Sequence, residues 1–226
     1  MIGDMPVAVI TGSSQGLGLA LATNLAAEGW TIVADARDAD RLRTAVDALP
    51  GGPHVAVPGD VTDSWHRGAL AAAAADQGGA DLLVNNASTL GASPLPRLAD
   101  IDPTTYLRTF EVNVVAPVAL AGLLLPQLRP RRGRIVNITS DASVEPYETW
   151  GGYGSSKAAL DHATRILAAE EPLVHVYAVD PGDLRTAMHQ AAFPGEDISD
   201  RPEPEAVAPR LLSLVLGDAA SGRHVA

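Results

Sequence analysis

Tyr153 and Lys157, four residues apart, are the side chains of this sequence best suited to proton transfer. At that spacing on a helix, two side chains share one face. A phenol with an ordinary pKa of about 10 exchanges protons slowly at neutral pH, and a neighbouring ammonium lowers that pKa. The pair predicts general acid–base chemistry, with a chance pairing on a surface helix as the alternative.

Lys157 is also the only lysine among the 16 basic residues of the chain. Lysine differs from arginine in carrying a compact ammonium whose pKa shifts readily on burial. Chance placement is one explanation of this single lysine. A requirement for an adjustable ammonium beside Tyr153 is the other, and the remaining motifs favour it.

A glycine-rich segment from Thr11 to Gly18 predicts a phosphate-binding loop, because it follows an apolar strand and opens a helix. Glycines let the backbone turn and approach a pyrophosphate, and the helix N-terminus offers free N–H groups and the positive end of its dipole. The spacing TGxxxGxG differs from the common GxGxxG fingerprint. A glycine-rich turn without a ligand is the alternative.

Short apolar runs alternate with amphipathic segments along the chain, which indicates βαβ units. The predicted strands are 7–11, 31–34, 55–57, 82–85, 134–139 and 174–179. The predicted helices are 16–29, 40–48, 64–77, 103–128, 153–169 and 205–216. Right-handed crossovers then predict an α/β fold with a doubly wound, Rossmann-like parallel sheet and helices on both faces. The whole chain, 1–226, is expected to form one domain, with a substrate-lid loop at 187–204.

Taken together, these motifs resemble the short-chain dehydrogenase/reductase family over most of the chain. The resemblance implies that Tyr153 exchanges the proton and that Ser140 hydrogen-bonds the substrate oxygen, with Ser143 and Thr139 as local alternatives. It implies that Lys157 tunes Tyr153 and holds the ribose, and that Asn113 anchors a water relay. Pro117 supports the last role, because a proline cannot donate an N–H to the Asn113 carbonyl four residues earlier.

The same resemblance implies a dinucleotide site. Ser88 occupies a position that is usually glycine in the family, and Leu184 is a milder departure from the family pattern. The implied cofactor-binding residues are Gly12, Ser14, Gln15, Gly16, Leu17, Gly18, Arg37, Asp60, Val61, Asn86, Ala87, Ser88, Tyr153, Lys157, Pro181, Gly182, Leu184 and Thr186.

The end of the second strand bears on the choice of cofactor. Ala36 stands where NAD-dependent relatives often carry an acid, and Arg37 stands where NADP-dependent relatives carry a base. A guanidinium suits a 2′-phosphate through its planar fork. The sequence therefore favours NADP(H) over NAD(H). Asp35 leaves NAD(H) open, because a shift of one residue would make it the acid that selects NAD.

Composition excludes several classes of function. A net charge of −11 opposes binding to nucleic acid and to anionic membranes. The absence of cysteine excludes disulfides and thiolate metal sites, and His189 has no partner histidines at ligand spacing, so we expect no metal. No basic segment precedes the first apolar run, and the apolar run 114–125 is too short to span a bilayer. We therefore expect a cytoplasmic protein.

These features predict an oxidoreductase that transfers a hydride between NADP(H) and a small-molecule ketone or secondary alcohol. Side chains expected to line the substrate pocket are Tyr147, Trp150, Met188, His189 and Phe193. A catalytically silent NADP(H)-binding sensor, a methyltransferase, and an epimerase or dehydratase remain alternatives.

We expect a homodimer through the helices 103–128 and 153–169. An apolar face of Leu120, Leu123, Leu124 and Leu128 would serve as the contact, unless these leucines belong to the protein's own core. We expect a last strand that relatives carry to be shortened here, which makes a tetramer the less favoured assembly.

Overall fold

The computed structural model describes residues 5–226, so residues 1–4 of the predicted domain lie outside it. Seven parallel strands form one sheet in the order β3-β2-β1-β4-β5-β6-β7. The strands are β1 (Val7–Ile10), β2 (Thr31–Ala36), β3 (Val55–Pro58), β4 (Leu82–Asn85), β5 (Arg134–Ile138), β6 (His175–Asp180) and β7 (Gly222–Val225). The predicted doubly wound α/β fold is confirmed, and all six predicted strands are present.

Helices cover both faces of the sheet. They are α1 (Gly16–Ala27), α2 (Ala39–Asp47), α3 (Ser64–Asp76), α4 (Pro103–Phe110), α5 (Ala116–Arg131), α6 (Gly151–Glu170), α7 (Ala187–Ala192) and α8 (Pro204–Leu216). Alternate residues of β1 face opposite sides, as a strand requires. Ala8 and Ile10 join one core with α1, α2 and α8, while Val7 and Val9 join the other with α3 and α5.

The predicted helix 103–128 is interrupted in the structure. A π-helical segment, Glu111–Val115, joins α4 to α5, and the Ala116 N–H donates to the Glu111 carbonyl five residues earlier. Pro117 follows this segment and has no N–H to continue the α-helical pattern. The wider turn places Asn113, which is 1% exposed, inside the protein.

Two expectations for the C-terminal half need correction. The segment 187–204 is not wholly a loop, because it contains α7, whose first turn is capped by the Thr186 hydroxyl accepting from the His189 N–H. The last strand is present as β7, which pairs in parallel with β6. Its residues carry no apolar run, so its position depends on the ladder with β6 rather than on a local sequence pattern.

The helical stretch from Pro103 to Arg131 has 29 residues and is long and apolar enough to cross a bilayer. The shortness of the apolar run 114–125 therefore does not exclude a membrane span. Packing explains its apolar side chains instead, since 44% of its most apolar window is buried. Leu120, Leu124 and Leu128 are core residues, and only Leu123 of the four leucines is exposed. The prediction of a four-leucine contact face is therefore wrong for three of them.

Candidate functional site

A cavity of about 1430 Å³ opens at the carboxyl ends of the strands, beside the point where the strand order reverses between β1 and β4. This is the edge at which open α/β sheets bind ligands. Of the residues predicted for the site, Asn113 and Gly18 do not line the cavity. The others do: Gly12, Ser14, Gln15, Gly16, Leu17, Arg37, Asp60, Val61, Asn86, Ala87, Ser88, Ser140, Tyr153, Lys157, Pro181, Gly182, Leu184 and Thr186.

Hydrogen bonds tie the loop after β1 to the loop after β4. The Asn86 amide donates to the carbonyls of Thr11 and Gly12 at 2.9 and 3.1 Å, and the Thr11 hydroxyl accepts from the N–H groups of Asn86 and Ala87, each at 3.0 Å. Gly12 adopts φ +65°, a conformation that favours glycine, and a Cβ there would lie 3.0 Å from the Ala87 Cα. The two loops therefore form one closely packed wall of the cavity.

The N-terminus of α1 faces this cavity without a side-chain cap. Gln15 occupies the cap position and makes no capping hydrogen bond with its side chain, whereas Asp38, Asp63 and Asp102 cap α2, α3 and α4. Free N–H groups at a helix N-terminus suit a phosphate. The uncapped helix and the closely packed glycine loop therefore fit the pyrophosphate of a dinucleotide.

Basic side chains stand at the end of the cavity next to β2. Arg37 is exposed and lines the cavity, as predicted. Arg41, which the sequence analysis did not single out, also lines it and donates to the Gln15 side chain at 2.7 Å. The position of Arg41 in the first turn of α2, four residues after Arg37, is the signal that could have identified it.

Asp35 lines the cavity, but its side chain is almost wholly buried. It is 1% exposed, and its carboxylate accepts from the Gly12 N–H at 3.3 Å and lies 2.5 Å from His66 Nε2. Burial raises the pKa of Asp35, although the bond and charge of His66 oppose the shift. The Asp35 carboxylate is therefore held between the Gly12 N–H and the His66 ring, where it supports the glycine loop.

Asp60 is held by a side chain that the sequence analysis missed. Its carboxylate receives Arg108 Nη2 at 2.6 Å and the N–H and hydroxyl of Thr62 at 2.9 and 2.8 Å. Burial acts to raise the pKa of Asp60, but the Thr62 hydrogen bonds and the Arg108 guanidinium outweigh it and lower that pKa. Arg108 is separated from Asp60 by 48 positions, so no local motif connects them.

Tyr153 and Lys157 lie together in the first turns of α6. Tyr153 is 8% exposed and Lys157 is 2% exposed, and Lys157 Nζ lies 5.5 Å from the centroid of the Tyr153 ring. Nζ donates to the Ile138 carbonyl at the end of β5, at 2.7 Å. Helix α6 and β5 thus hold Lys157 beside Tyr153, as the four-residue spacing of the two side chains predicts.

The pKa values of this pair differ from the expectation. Burial raises the pKa of Tyr153; hydrogen bonding with Ser140 and Ser88 opposes the rise, and the charge of Asp180 adds to it. Burial also lowers the pKa of Lys157 to about 8, against the attraction of Asp161. In the protein alone, desolvation is the largest effect on the pKa of each group, and it outweighs any lowering of the Tyr153 pKa by the ammonium.

Ser140 lies two residues after β5 and lines the cavity, as Tyr153 does. Its hydroxyl accepts from the Ala142 N–H at 3.2 Å and donates to the Asp141 carboxylate at 2.9 Å. Ser143, one of the alternatives, donates instead to Asp161 at 2.6 Å and does not line the cavity. Of these two serines, Ser140 is the one placed to meet a substrate.

Asn113 lies behind the cavity wall. Its side-chain oxygen accepts from the Ser88 hydroxyl at 3.1 Å and from the Thr89 N–H at 2.9 Å, and its amide donates to the Thr89 carbonyl and the Ser156 hydroxyl, each at 2.9 Å. Ser88, in place of the usual glycine, thus links Asn113 to the cavity through its hydroxyl. The Asn113 side chain is thus engaged by protein groups, and the predicted water relay through its main-chain carbonyl stays a prediction.

Aromatic side chains form the substrate end of the cavity. Trp150 lies against the Tyr153 ring edge at 5.7 Å between centroids and against Phe193 at 5.7 Å, and Phe193 contacts His189 at 4.9 Å. Tyr147 and Met188 line the same end. The five side chains expected in the substrate pocket are therefore all at the cavity.

A sequence profile of the short chain dehydrogenase family matches residues 6–197. The chain belongs to the short-chain dehydrogenase/reductase family. It is an NAD(P)-dependent oxidoreductase of that family.

Relatives in this family are reductases and dehydrogenases. The chain is 34% identical to an uncharacterized oxidoreductase of Saccharomyces cerevisiae, over 80% of this chain and 72% of that protein. It is 34% identical to sepiapterin reductase of Bos taurus, over 81% and 74%. An alcohol dehydrogenase from the archaeon Thermococcus sibiricus, complexed with 5-hydroxy-NADP, superposes with a TM-score of 0.86 at 25% identity, over 98% and 96%.

Replacing Lys157 with methionine is expected to stabilise the fold at neutral pH and to lose that advantage at alkaline pH. The pKa falls from 10.5 to about 8 on folding, so burial of the charged amine destabilises the fold fully below the folded pKa and not at all above the unfolded one. The shift corresponds to about 3 kcal/mol, reduced because methionine leaves the Ile138 carbonyl unpaired. Urea unfolding at about pH 7 and about pH 10 measures the difference in unfolding free energy between the variant and wild type. A difference in stability between variant and wild type that is equal at both pH values would contradict the prediction.

Proposed function

We propose that this family member is an NADP(H)-dependent oxidoreductase that interconverts a small-molecule ketone and its secondary alcohol. The observation that carries the proposal is the buried Tyr153–Lys157 pair in the same cavity as Ser140 and the uncapped N-terminus of α1. A silent sensor has no need of this set of side chains. The aromatic and apolar walls at Trp150 and Phe193 support a moderately apolar ketone.

The proposed chemistry divides among the side chains of the cavity. A bound NADPH would supply the hydride for the carbonyl carbon. Tyr153 gives its phenolic proton to the carbonyl oxygen, and the Ser140 hydroxyl donates a hydrogen bond to that oxygen. Lys157 holds the ribose hydroxyls and favours the phenolate that remains. A water held by the Asn113 carbonyl would relay a proton from solvent through Lys157 back to the Tyr153 phenolate. Alcohol oxidation would reverse these steps.

The preference for NADP(H) rests on Arg37 and Arg41. Both guanidinium groups line the cavity at the end of β2, where the ribose 2′-phosphate would lie. Asp35, the residue that would favour NAD(H), is buried against Gly12 and His66. A phosphate between two guanidinium groups makes charge-assisted hydrogen bonds that a ribose hydroxyl cannot match.

The experiment follows nicotinamide absorbance with a panel of aromatic and aliphatic ketones, using NADPH and NADH with wild type and Arg37→Ala. We expect wild type to reduce at least one ketone with NADPH preferred, and Arg37→Ala to raise the KM for NADPH by about 10–100-fold while leaving that for NADH unchanged. Arg43→Ala is the matched control, because Arg43 lies nearby on α2, is paired with Asp40, and does not line the cavity. A clear NADH preference would refute the cofactor assignment, and tight NADPH binding without reduction of any ketone would refute the reaction.

We also propose a cytoplasmic homodimer in contact through α5 and α6. Exposed apolar side chains on these helices support this assembly: Val118 and Leu123 on α5, and Ile166 on α6. Light scattering that shows a monomer at micromolar concentration would remove the dimer.

A further inference from the structure

Arg223 lies on the short strand β7 and reaches to the base of the cavity. Its Nη2 lies 3.0 Å from the Asp180 carboxylate and 3.2 Å from the Ser140 carbonyl oxygen. Its Nε lies 3.2 Å from the Asp161 carboxylate. One guanidinium thus contacts Ser140 after β5, Asp180 at the end of β6 and Asp161 on α6.

Both carboxylates that Arg223 contacts are buried. The side chains of Asp161 and Asp180 are 9% and 7% exposed. Asp161 also accepts from Ser143, but its Oδ1 is buried and has no hydrogen-bond partner among residues 5–226. Within that same range, Arg223 is the only cationic side chain in ion-pair contact with either carboxylate. Removing the guanidinium would leave two buried negative charges uncompensated.

These carboxylates act on the two side chains proposed for the chemistry. The charge of Asp180 raises the pKa of Tyr153, as does that of Asp141, and the charge of Asp161 raises the pKa of Lys157. The charged groups around the pair are therefore Asp141 after β5, Asp161 on α6, Asp180 on β6 and Arg223 on β7. Arg223 is the cation in ion-pair contact with both Asp161 and Asp180.

We propose that Arg223 is a positioning residue of the active site, whose guanidinium neutralises Asp161 and Asp180 and holds the Ser140 backbone beside Tyr153. Strand β7 then sets the charge around Lys157 and Tyr153, although neither side chain contacts it. The proposal rests on the proposed function for its effect on turnover, but the charge around Lys157 is measurable without turnover.

The test uses the fact that Lys157 is the only lysine in the chain. With isotope-labelled lysine, NMR gives a single side-chain signal, whose titration midpoint reports Lys157 directly. We expect Arg223→Gln to raise this midpoint by about one pH unit, because an uncompensated Asp161 favours the charged amine. The alkaline limb of the pH profile of ketone reduction should move in the same direction, because an uncompensated Asp180 favours the protonated phenol. Arg165→Gln on α6 is the matched control, because Arg165 is exposed and its recorded side-chain contact is His162.

A double variant separates charge from structure. Arg223→Gln/Asp161→Asn should bring the Lys157 midpoint back towards the wild-type value, since both members of the pair are then neutral. The shift that remains should be at most about half of the shift in Arg223→Gln. A folded Arg223→Gln with an unchanged midpoint would overturn the proposal. If Arg223→Gln does not fold, Asp161→Asn alone should lower the midpoint, and no change in that variant would also overturn it. Absence of ketone reduction in wild type would instead refute the proposed function and leave the midpoint test intact.

Discussion

Replacing Tyr153 with phenylalanine is expected to lower turnover with a ketone by about 10²–10⁴-fold, because the variant keeps the ring but loses the proton donor. Tyr153 is 8% exposed and packs edge-on against Trp150, and a phenylalanine ring would keep the same burial and the same contact. Dissociation constants for NADPH should change by no more than one hydrogen bond allows, about 1 kcal/mol. Turnover and NADPH binding are measured separately, the first by nicotinamide absorbance and the second by fluorescence titration.

Tyr106→Phe is the matched control for this substitution. The Tyr106 hydroxyl lies 3.0 Å from the Ser155 hydroxyl between α4 and α6, and Tyr106 does not line the cavity. It should therefore keep wild-type turnover. Full turnover in Tyr153→Phe would eliminate the tyrosine as the proton donor, whereas loss of NADPH binding in that variant would show that the substitution damages the cofactor site instead.

Replacing Gly18 with alanine is expected to destabilise the protein by about 1–3 kcal/mol and to weaken NADPH binding at least tenfold. A Cβ at Gly18 would stand 2.5 Å from the Asn86 amide nitrogen and closer still to the Gly12 carbonyl oxygen. The Gly12 atom belongs to the backbone, so α1 must move away from the loop that faces the cavity. The helix N-terminus and the glycine loop would then no longer meet the pyrophosphate together.

Gly122→Ala in α5 is the matched control, because a Cβ there would meet no atom within 4 Å. Since alanine favours the helix over glycine, this variant should be stabilised by up to about 1 kcal/mol. Urea unfolding gives both free energies, and NADPH titration gives the affinity. A Gly18→Ala variant that unfolds and binds NADPH as wild type does would disprove the close contact between α1 and the loop.

The order of the secondary structure elements follows from local sequence. Each of the six predicted strands is an apolar run of a few residues, and the structure places each within two residues of its predicted ends. A parallel sheet buried on both faces requires such runs. The edge strand β7 has no such run, since its residues are Gly222 to Val225, and its pairing with β6 gives it its position.

The sequence also predicts which residues gather at the cavity when the signal is local. The glycine loop lies between a strand and a helix, and Tyr153 and Lys157 share one face of α6, so short spacing is enough to predict both. The loops after β1 and β4 meet because parallel neighbouring strands end at the same edge of the sheet.

Contacts between distant positions needed the tertiary structure. Arg108 is 48 positions from Asp60, and Arg223 is 83 positions from Ser140. An arginine on a helix or an edge strand has no sequence pattern that names its partner, because the packing of whole elements decides which carboxylate it reaches. The burial of Asp35 against His66 is of the same kind.

The titration behaviour of the site is likewise a property of the folded protein. The sequence places an ammonium near a phenol and predicts a lowered pKa for Tyr153, yet burial raises it. The desolvation of the two side chains depends on every element that covers them, including β5 and α6. The spacing of two residues in the sequence therefore does not predict it. The sequence by itself determined the fold and the family, and it predicted Tyr153 and Lys157 as the proton-transfer pair. The tertiary structure decided their charges, because electrostatic free energies depend on burial and on partners brought in from distant parts of the chain.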